Sequence, residues 1–271
     1  FTDVSVVGVV GDDFLDTDKA LLQNNGIDTT DLEISEGQTF RWQGKYDPTD
    51  FNKRDTIDTQ LNVFADFNPK ISSQNASNEF LFLGNIDPIL QLNVLEQMNK
   101  APTLVGLDTM NYWIDSKKCP LEEVVQRINV LFMDETEIKE FTNKETIYSA
   151  AEHVHKMGPE IVVVKKGEHG AIVTYRGEAF AIPAYPTQNV MDPTGAGDSF
   201  AGGFMGYMSS VKTLTSEHIR QAIAFASVMG SLTVENFSIN RLTGLKSEEI
   251  HQRFQELFNL TNFNPNIVVT K

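Results

Sequence analysis

Short apolar, β-branched runs alternate along the chain with stretches of helical period. Residues 4–10, Val-Ser-Val-Val-Gly-Val-Val, predict a buried strand ended by Gly11-Asp12-Asp13. A helix over about 15–25 follows, stopped by Gly26. Further strands are expected at 79–84, 103–107, 129–133, 161–164, 171–175 and 179–185. Helices are expected at 88–100, with Leu92, Leu95 and Met98 on one face, and at 146–156. Asp134-Glu135-Thr136-Glu137 opens another, since acidic residues suit a helix start. This rhythm predicts an α/β fold: a mostly parallel sheet with helices on both faces.

Residues 34–67 break the rhythm. Residues 38–46 and 57–64 read as two strands, with Phe40, Trp42 and Tyr46 sharing one face by period two, as do Ile57, Thr59, Leu61 and Val63. The link between them, 47–55, is polar with one proline. The segment is either a β-flap standing off the main sheet or an amphipathic hairpin covering a core; an exposed edge strand there would want a partner. Later, 216–236 reads as a long helix, Ser247 as the cap of a last helix through about 258, and 267–270 as an edge strand.

Composition narrows the function. With 271 residues, 41% of them hydrophobic, the chain can build a large core. A net charge of -15 and a pI near 4.7 argue against nucleic acid and against an anionic membrane surface. No apolar run is long enough to span a bilayer. One cysteine, Cys119, excludes an intramolecular disulfide framework and suits a reducing cytoplasm. His153 and His155 are two apart on a helix and do not face one another, so they do not read as a metal pair. The Asn-x-Ser/Thr triplets at Asn75, Asn236 and Asn259 read as chance.

The chemistry concentrates in Met191-Asp192-Pro193-Thr194-Gly195-Ala196-Gly197-Asp198-Ser199-Phe200, followed by a helix rich in small residues. Gly195-Ala196-Gly197 sits where a loop becomes a helix N-terminus. The first amides of a helix lack internal partners, and small residues let an anion approach them. That makes a phosphate site of backbone rather than lysine. Asp198 beside such a site would repel an anion, so a carboxylate there makes sense as a base that takes a proton from an attacking hydroxyl. No Gly-x-Gly-x-x-Gly follows the first strand, which argues against a dinucleotide-binding dehydrogenase.

The stretch Asp-Pro-Thr-Gly-Ala-Gly-Asp-Ser-Phe-Ala-Gly-Gly-Phe-Met resembles the C-terminal signature of the PfkB/ribokinase family of carbohydrate and nucleoside kinases. The resemblance implies a ribokinase-like three-layer sandwich over 1–271, with 34–67 as a small β-lid through which a homodimer can form. It implies Asp198 as catalytic base in contact with the substrate, and Gly195, Ala196 and Gly197 as the anion hole. Asp192 and Thr194 would help form a monovalent-cation site, for K+. Asp134-Glu135-Thr136-Glu137 resembles the family's Asn-x-x-Glu, which orders Mg2+ largely through water, so Glu137 and Asp134 would serve there, with Asp134 replacing asparagine. Lys165, Gly167 and Gly170 match a strand-turn-strand that contacts ATP, and Asn85, at a strand end, would reach the substrate. Pro193 stands where threonine is commoner. The family's N-terminal strand and Gly-Gly segment have no counterpart ahead of Gly11-Asp12-Asp13, so the start is expected to be incomplete. The implied activity is ATP-dependent phosphorylation of a hydroxymethyl group on a small sugar, in the cytoplasm; a nucleoside kinase and a non-catalytic nucleotide- or sugar-binding member are the alternatives.

Overall fold

The computed structural model describes residues 1–47 and 50–262, so the edge strand expected at 267–270 and part of the polar link, 48–49, lie outside the described residues. The chain divides into two compact units, 1–167 with 174–178, and 168–173 with 179–271.

The first unit opens with β1 (Val4–Gly11), α1 (Asp16–Asn24) and β2 (Ile27–Ser35). Asn25 caps α1 and Gly26 follows at φ +77°, as the glycine stop requires. β1 is less buried than its apolar sequence predicts. Among the described residues it pairs in parallel with β2 alone, and within the strand only Val9, Val10 and Gly11 are buried while Val4 is 49% exposed. Gly11 is needed where it stands: a Cβ there would lie 2.2 Å from the Gly37 carbonyl oxygen.

The flap is a separate antiparallel ribbon, β3 (Arg41–Asp47) and β4 (Asp50–Gln60). β4 starts well before the predicted 57 and stops at Gln60, and Asn62–Asp66 is a 3-10 turn. The register shifts between Gln43 and Gly44, leaving Ile57 as the extra residue of a bulge. The expected common face of Ile57, Thr59, Leu61 and Val63 is therefore broken. On β3 the alternation holds, with Trp42 and Tyr46 half-buried between exposed Arg41, Gln43 and Lys45. The Trp42 indole lies over Gly44, where a Cβ would sit 2.1 Å from the ring. Asp13 ties the ribbon's entry to the end of β1: its carboxylate accepts from Thr39 N at 2.7 Å, Thr39 Oγ1 at 2.6 Å and Arg41 at 2.9 Å. The Thr39 hydroxyl, then Arg41, hold that carboxyl well below the usual carboxylate range.

The alternating part gives β5 (Phe80–Leu83), α2 (Pro88–Gln97), β6 (Leu104–Asp108), α3 (Asn111–Ser116), α4 (Lys118–Val125), β7 (Val130–Asp134), α5 (Glu135–Thr142), α6 (Ile147–Met157) and β8 (Ile161–Lys165). Thr109 and Met110 lead from β6 into the short helix α3. β5, β6, β7 and β8 pair in parallel in that order. β7 and β8 are buried at every position but the last, which is why their sequences read as unbroken apolar runs. β9 (Ala171–Tyr175) and β10 (Glu178–Ile182) complete a six-stranded sheet of order β10-β9-β8-β7-β6-β5, and the division between units falls within these last two strands. Arg176 and Gly177, both at positive φ, make the two-residue turn between them.

In the second unit the helices are α7 (Ala196–Val211), α8 (Ser216–Thr233) and α9 (Ser247–Thr261). α7 and α8 approach closely because Gly203 faces α8: a Cβ there would lie 2.9 Å from Met229 Cγ and 3.1 Å from Ala226 Cα. Thr215 caps α8 through its side chain. In place of the Ser247 cap that the sequence predicts, Lys246 is the N-cap of α9 and Ser247 its first helical residue.

Candidate active site

In the first unit, parallel pairing aligns the carboxyl ends of three strands. Asp108, Asp134 and Lys165 are the last residues of β6, β7 and β8, and Asp134 is the register partner of Lys165. Lys165 spans β7 to reach Asp108, with Nζ at 2.9 and 2.7 Å from its two carboxylate oxygens. Asp108 is 4% exposed, so this is a buried ion pair, and the lysine expected at ATP is engaged by a carboxylate. Lys166 instead pairs with Glu135 at 3.4 Å.

Asp134 is the N-cap of α5 and Glu137 its third residue, and the two form a reciprocal capping box. Asp134 Oδ1 accepts from Glu137 N at 2.8 Å, and Glu137 Oε2 accepts from Asp134 N at 2.7 Å. The box leaves Glu137 only 5% exposed. Burial pushes its carboxyl up to about 7, helped by the negative charge of Asp134 and Asp108 and opposed by Lys165 and the Asp134 amide. Asp134 and Asp108 add negative charge to the surroundings of Glu137 that a cation would relieve. Among the described residues no three His, Cys, Asp or Glu side chains converge in a metal-binding group. That donor set fits Mg2+ held by one or two carboxylates and several waters, and does not make a cage.

Asn85 follows β5 and is exposed, with both ends of its amide engaged. Its Oδ1 accepts from Trp113 Nε1 at 2.9 Å, and its Nδ2 donates to Met110 Sδ at 3.1 Å. On the ribbon, Phe40, Arg41, Trp42, Gln43, Asp58 and Gln60 line an open cavity of about 500 Å³.

In the second unit, the phosphate-loop geometry is that of a helix start. Gly195 is the N-cap of α7 at φ +80°, ψ -1°, a left-handed conformation that favours glycine. Asp192 Oδ1 accepts from Thr194 N at 2.9 Å, and Ala196 N donates to Pro193 O at 3.2 Å, so two tight turns precede the helix. The Ala196 amide is thereby committed to the turn, whereas the Gly195 and Gly197 amides find no backbone acceptor among the described residues. Asp198 stands in the first turn of α7, exposed, and its carboxyl has no hydrogen-bond or ion-pair partner among the described residues. Two of the three expected anion-hole amides thus remain available beside a solvent-facing carboxylate. Met191 N and Asp192 N both donate to Val234 O just past α8, at 2.8 and 3.3 Å, an anchor no sequence spacing announced. Gly170, at φ +89°, packs on the backbone of β10: a Cβ there would lie 2.0 Å from Ile182 O. Gly167 is at φ +55° and belongs to the first unit.

The profile of the pfkB family carbohydrate kinases matches residues 2–242. The chain is 34% identical over 123 residues to a cytidine kinase of Thermococcus kodakarensis, a stretch covering 44% of this chain and 44% of that protein. It is 27% identical over 240 residues to a nucleoside kinase of Methanothermobacter thermautotrophicus, covering 86% of this chain and 72% of that one. Among solved structures it is similar to the nucleoside kinase of Methanocaldococcus jannaschii, an archaeal member of the ribokinase family, with a TM-score of 0.74 and 22% identity over 94% of this chain and 81% of that one. At that identity the likeness concerns the fold, which is ribokinase-like.

Proposed function

Because the chain belongs to the pfkB family of carbohydrate kinases, we propose that it transfers the terminal phosphoryl group of ATP to a hydroxymethyl group of a sugar-containing acceptor. The observation that carries this reading is the start of α7: a left-handed Gly195, the amides of Gly195 and Gly197 without a backbone acceptor among the described residues, and an exposed Asp198 one position on. Asp198 takes the proton from the acceptor hydroxyl as its oxygen bonds to phosphorus and the bond to the ADP oxygen breaks. The amides of Gly195 and Gly197 hold the charge on the migrating phosphoryl oxygens. Ala196 contributes the helix start rather than its amide, which the turn already uses. Glu137 and Asp134 would order Mg2+ through water, and the ion, when bound, neutralises phosphate charge. Gly167 and Gly170 shape the turn assigned to ATP; Lys165 acts there by holding Asp108. Asp192 and Thr194 would serve a K+ ion.

The acceptor reading divides between a free sugar and a nucleoside. The nucleoside is favoured by the ribbon cavity, whose Phe40 and Trp42 rings offer a base a stacking face and whose Gln43 and Gln60 amides offer donor and acceptor pairs. The relatives named cytidine kinase and nucleoside kinase support the same choice. Asn85, oriented by Trp113, is assigned to the acceptor side. The ribbon's two strands pair only with each other among the described residues, which supports a homodimer built edge to edge. No described helix is long and apolar enough to cross a membrane, and the acidic surface suits a cytoplasmic enzyme without nucleic-acid partners.

A panel of nucleosides, ribose and fructose, each incubated with ATP and Mg2+ and read by mass spectrometry, tests the assignment. Phosphorylation of at least one nucleoside in preference to the free sugars is expected. Phosphorylation of free sugar alone overturns the nucleoside reading; ATP binding by calorimetry with no product from any acceptor overturns the kinase reading.

A further inference from the structure

The phosphate loop hangs from the end of another helix. Val234 follows α8, and its carbonyl receives the amides of both Met191 and Asp192. The same turn underlies the start of α7. Thr233 Cγ2 is the nearest atom to a Cβ built on Gly195, at 3.9 Å, and Ala196 O lies 3.4 Å from a Cβ built on Gly230. The last turn of α8 is therefore the floor on which Gly195 and Ala196 rest, and its position sets theirs.

That turn is held by charge. Glu235, the next residue, receives Arg253 Nη2 at 2.8 Å on each carboxylate oxygen and Arg241 Nε at 3.0 Å. Arg253 comes from α9, has 13% of its side chain exposed, and uses Nη1 to reach Ser231 Oγ on α8 at 3.2 Å. Its guanidinium also lies 4.9 Å from the centre of the Tyr185 ring, on the segment that leads into the loop. One planar cation thus fastens Glu235, the side of α8 and the chain entering the loop. Glu249 takes the outer side of Arg241.

We infer that Glu235 is a positioning residue for phosphoryl transfer: clamped between Arg253 and Arg241, it fixes the Val234 carbonyl from which the Met191–Asp192 backbone, and so the Gly195 and Gly197 amides, are suspended. The inference rests on the kinase reading for its catalytic consequence, not for its geometry. A misplacement of about 1 Å at a reacting centre costs up to about 10²-fold in rate, so loosening this anchor should lower turnover without touching the substrates.

Hydrogen exchange and kinetics on the full chain separate the clamp from a purely structural role. In Glu235→Gln, exchange of the peptide carrying Met191 and Asp192 is expected to accelerate about tenfold, by analogy with other locally opened segments, while peptides of β7 and β8 keep their protection. At a temperature well below unfolding, kcat should fall about tenfold with the acceptor KM little changed. Glu249→Gln, which leaves Arg253 on Glu235, should move neither readout. Arg253→Lys keeps the charge but loses the fork, and carries the same test if Glu235→Gln does not fold. A lower melting temperature with unchanged exchange at Met191 and Asp192 overturns the clamp. A wild-type chain that phosphorylates nothing overturns the kinase reading, and the exchange result still decides the clamp.

Discussion

Glu137 offers a quantitative test because its environment works against its charge. It is 5% exposed and faces Asp134 and Asp108, and its carboxyl is raised from an ordinary 4.5 to about 7. The folded state therefore holds this proton more tightly than the unfolded chain does. The stability it contributes is fully present below 4.5 and is lost as pH rises through about 7. At about 1.36 kcal/mol per pKa unit the full loss is about 3 kcal/mol, of which about 2.5 kcal/mol falls between pH 5 and 8. For a chain of this size that is roughly 5–10 °C in melting temperature. Glu137→Gln removes the charge and keeps an amide oxygen able to accept from Asp134 N. Melting curves by circular dichroism in Mg2+-free buffer should show the wild type losing this increment between pH 5 and 8 relative to the variant, with the variant the more stable at pH 8. Parallel curves across that range would refute the argument that burial and the neighbouring Asp134 charge raise the Glu137 carboxyl.

Three further substitutions probe the parts separately. Lys165→Met leaves Asp108 buried without its cation and should cost about 3–5 kcal/mol, read by urea denaturation; a loss under about 1 kcal/mol would mean the pair is solvated. Gly195→Ala forces a Cβ into a left-handed conformation at φ +80°, at roughly 1–2 kcal/mol; thermal melting should drop, and ATP-analogue binding by calorimetry should weaken as the amide turns. Gly203→Ala drives a methyl to 3.1 Å from Ala226 Cα and should cost about 1–3 kcal/mol, with an unchanged melting temperature meaning that α7 and α8 can separate freely.

Where a segment's burial follows from its own residues, the sequence was legible. Ile161–Lys165 and Val130–Asp134 are apolar because both sheet faces are covered, and they could be placed to within a residue. The helix start at Gly195 was legible because the left-handed N-cap needs glycine. The ribbon was harder: β4 is polar and exposed from Asp55 to Gln60, so no alternation marked its beginning, and a bulge at Ile57 is invisible to period-two reading. β1 looked like a core strand because Val and Gly suit burial, yet its burial depends on a neighbour, and β2 is the one it has among the described strands. The pairings least visible were long-range. Asp108 with Lys165 joins residues 57 apart, and Glu235 with Arg253 joins residues 18 apart on different elements. Neither carries a local pattern, because the geometry that unites them is made by the sheet order and by the packing of α9 on α8.

The central claim is that the Asp198 carboxylate removes the acceptor proton while backbone amides at the start of α7 hold the phosphoryl charge. Asp198→Asn preserves size and the helix start while removing the base. Steady-state and single-turnover kinetics with the best acceptor from the panel should show kcat lower by roughly 10²–10⁴, with ATP affinity, measured by calorimetry, within a few-fold of wild type. A fall in kcat of less than about tenfold, below the range a positioned base contributes, would contradict the account.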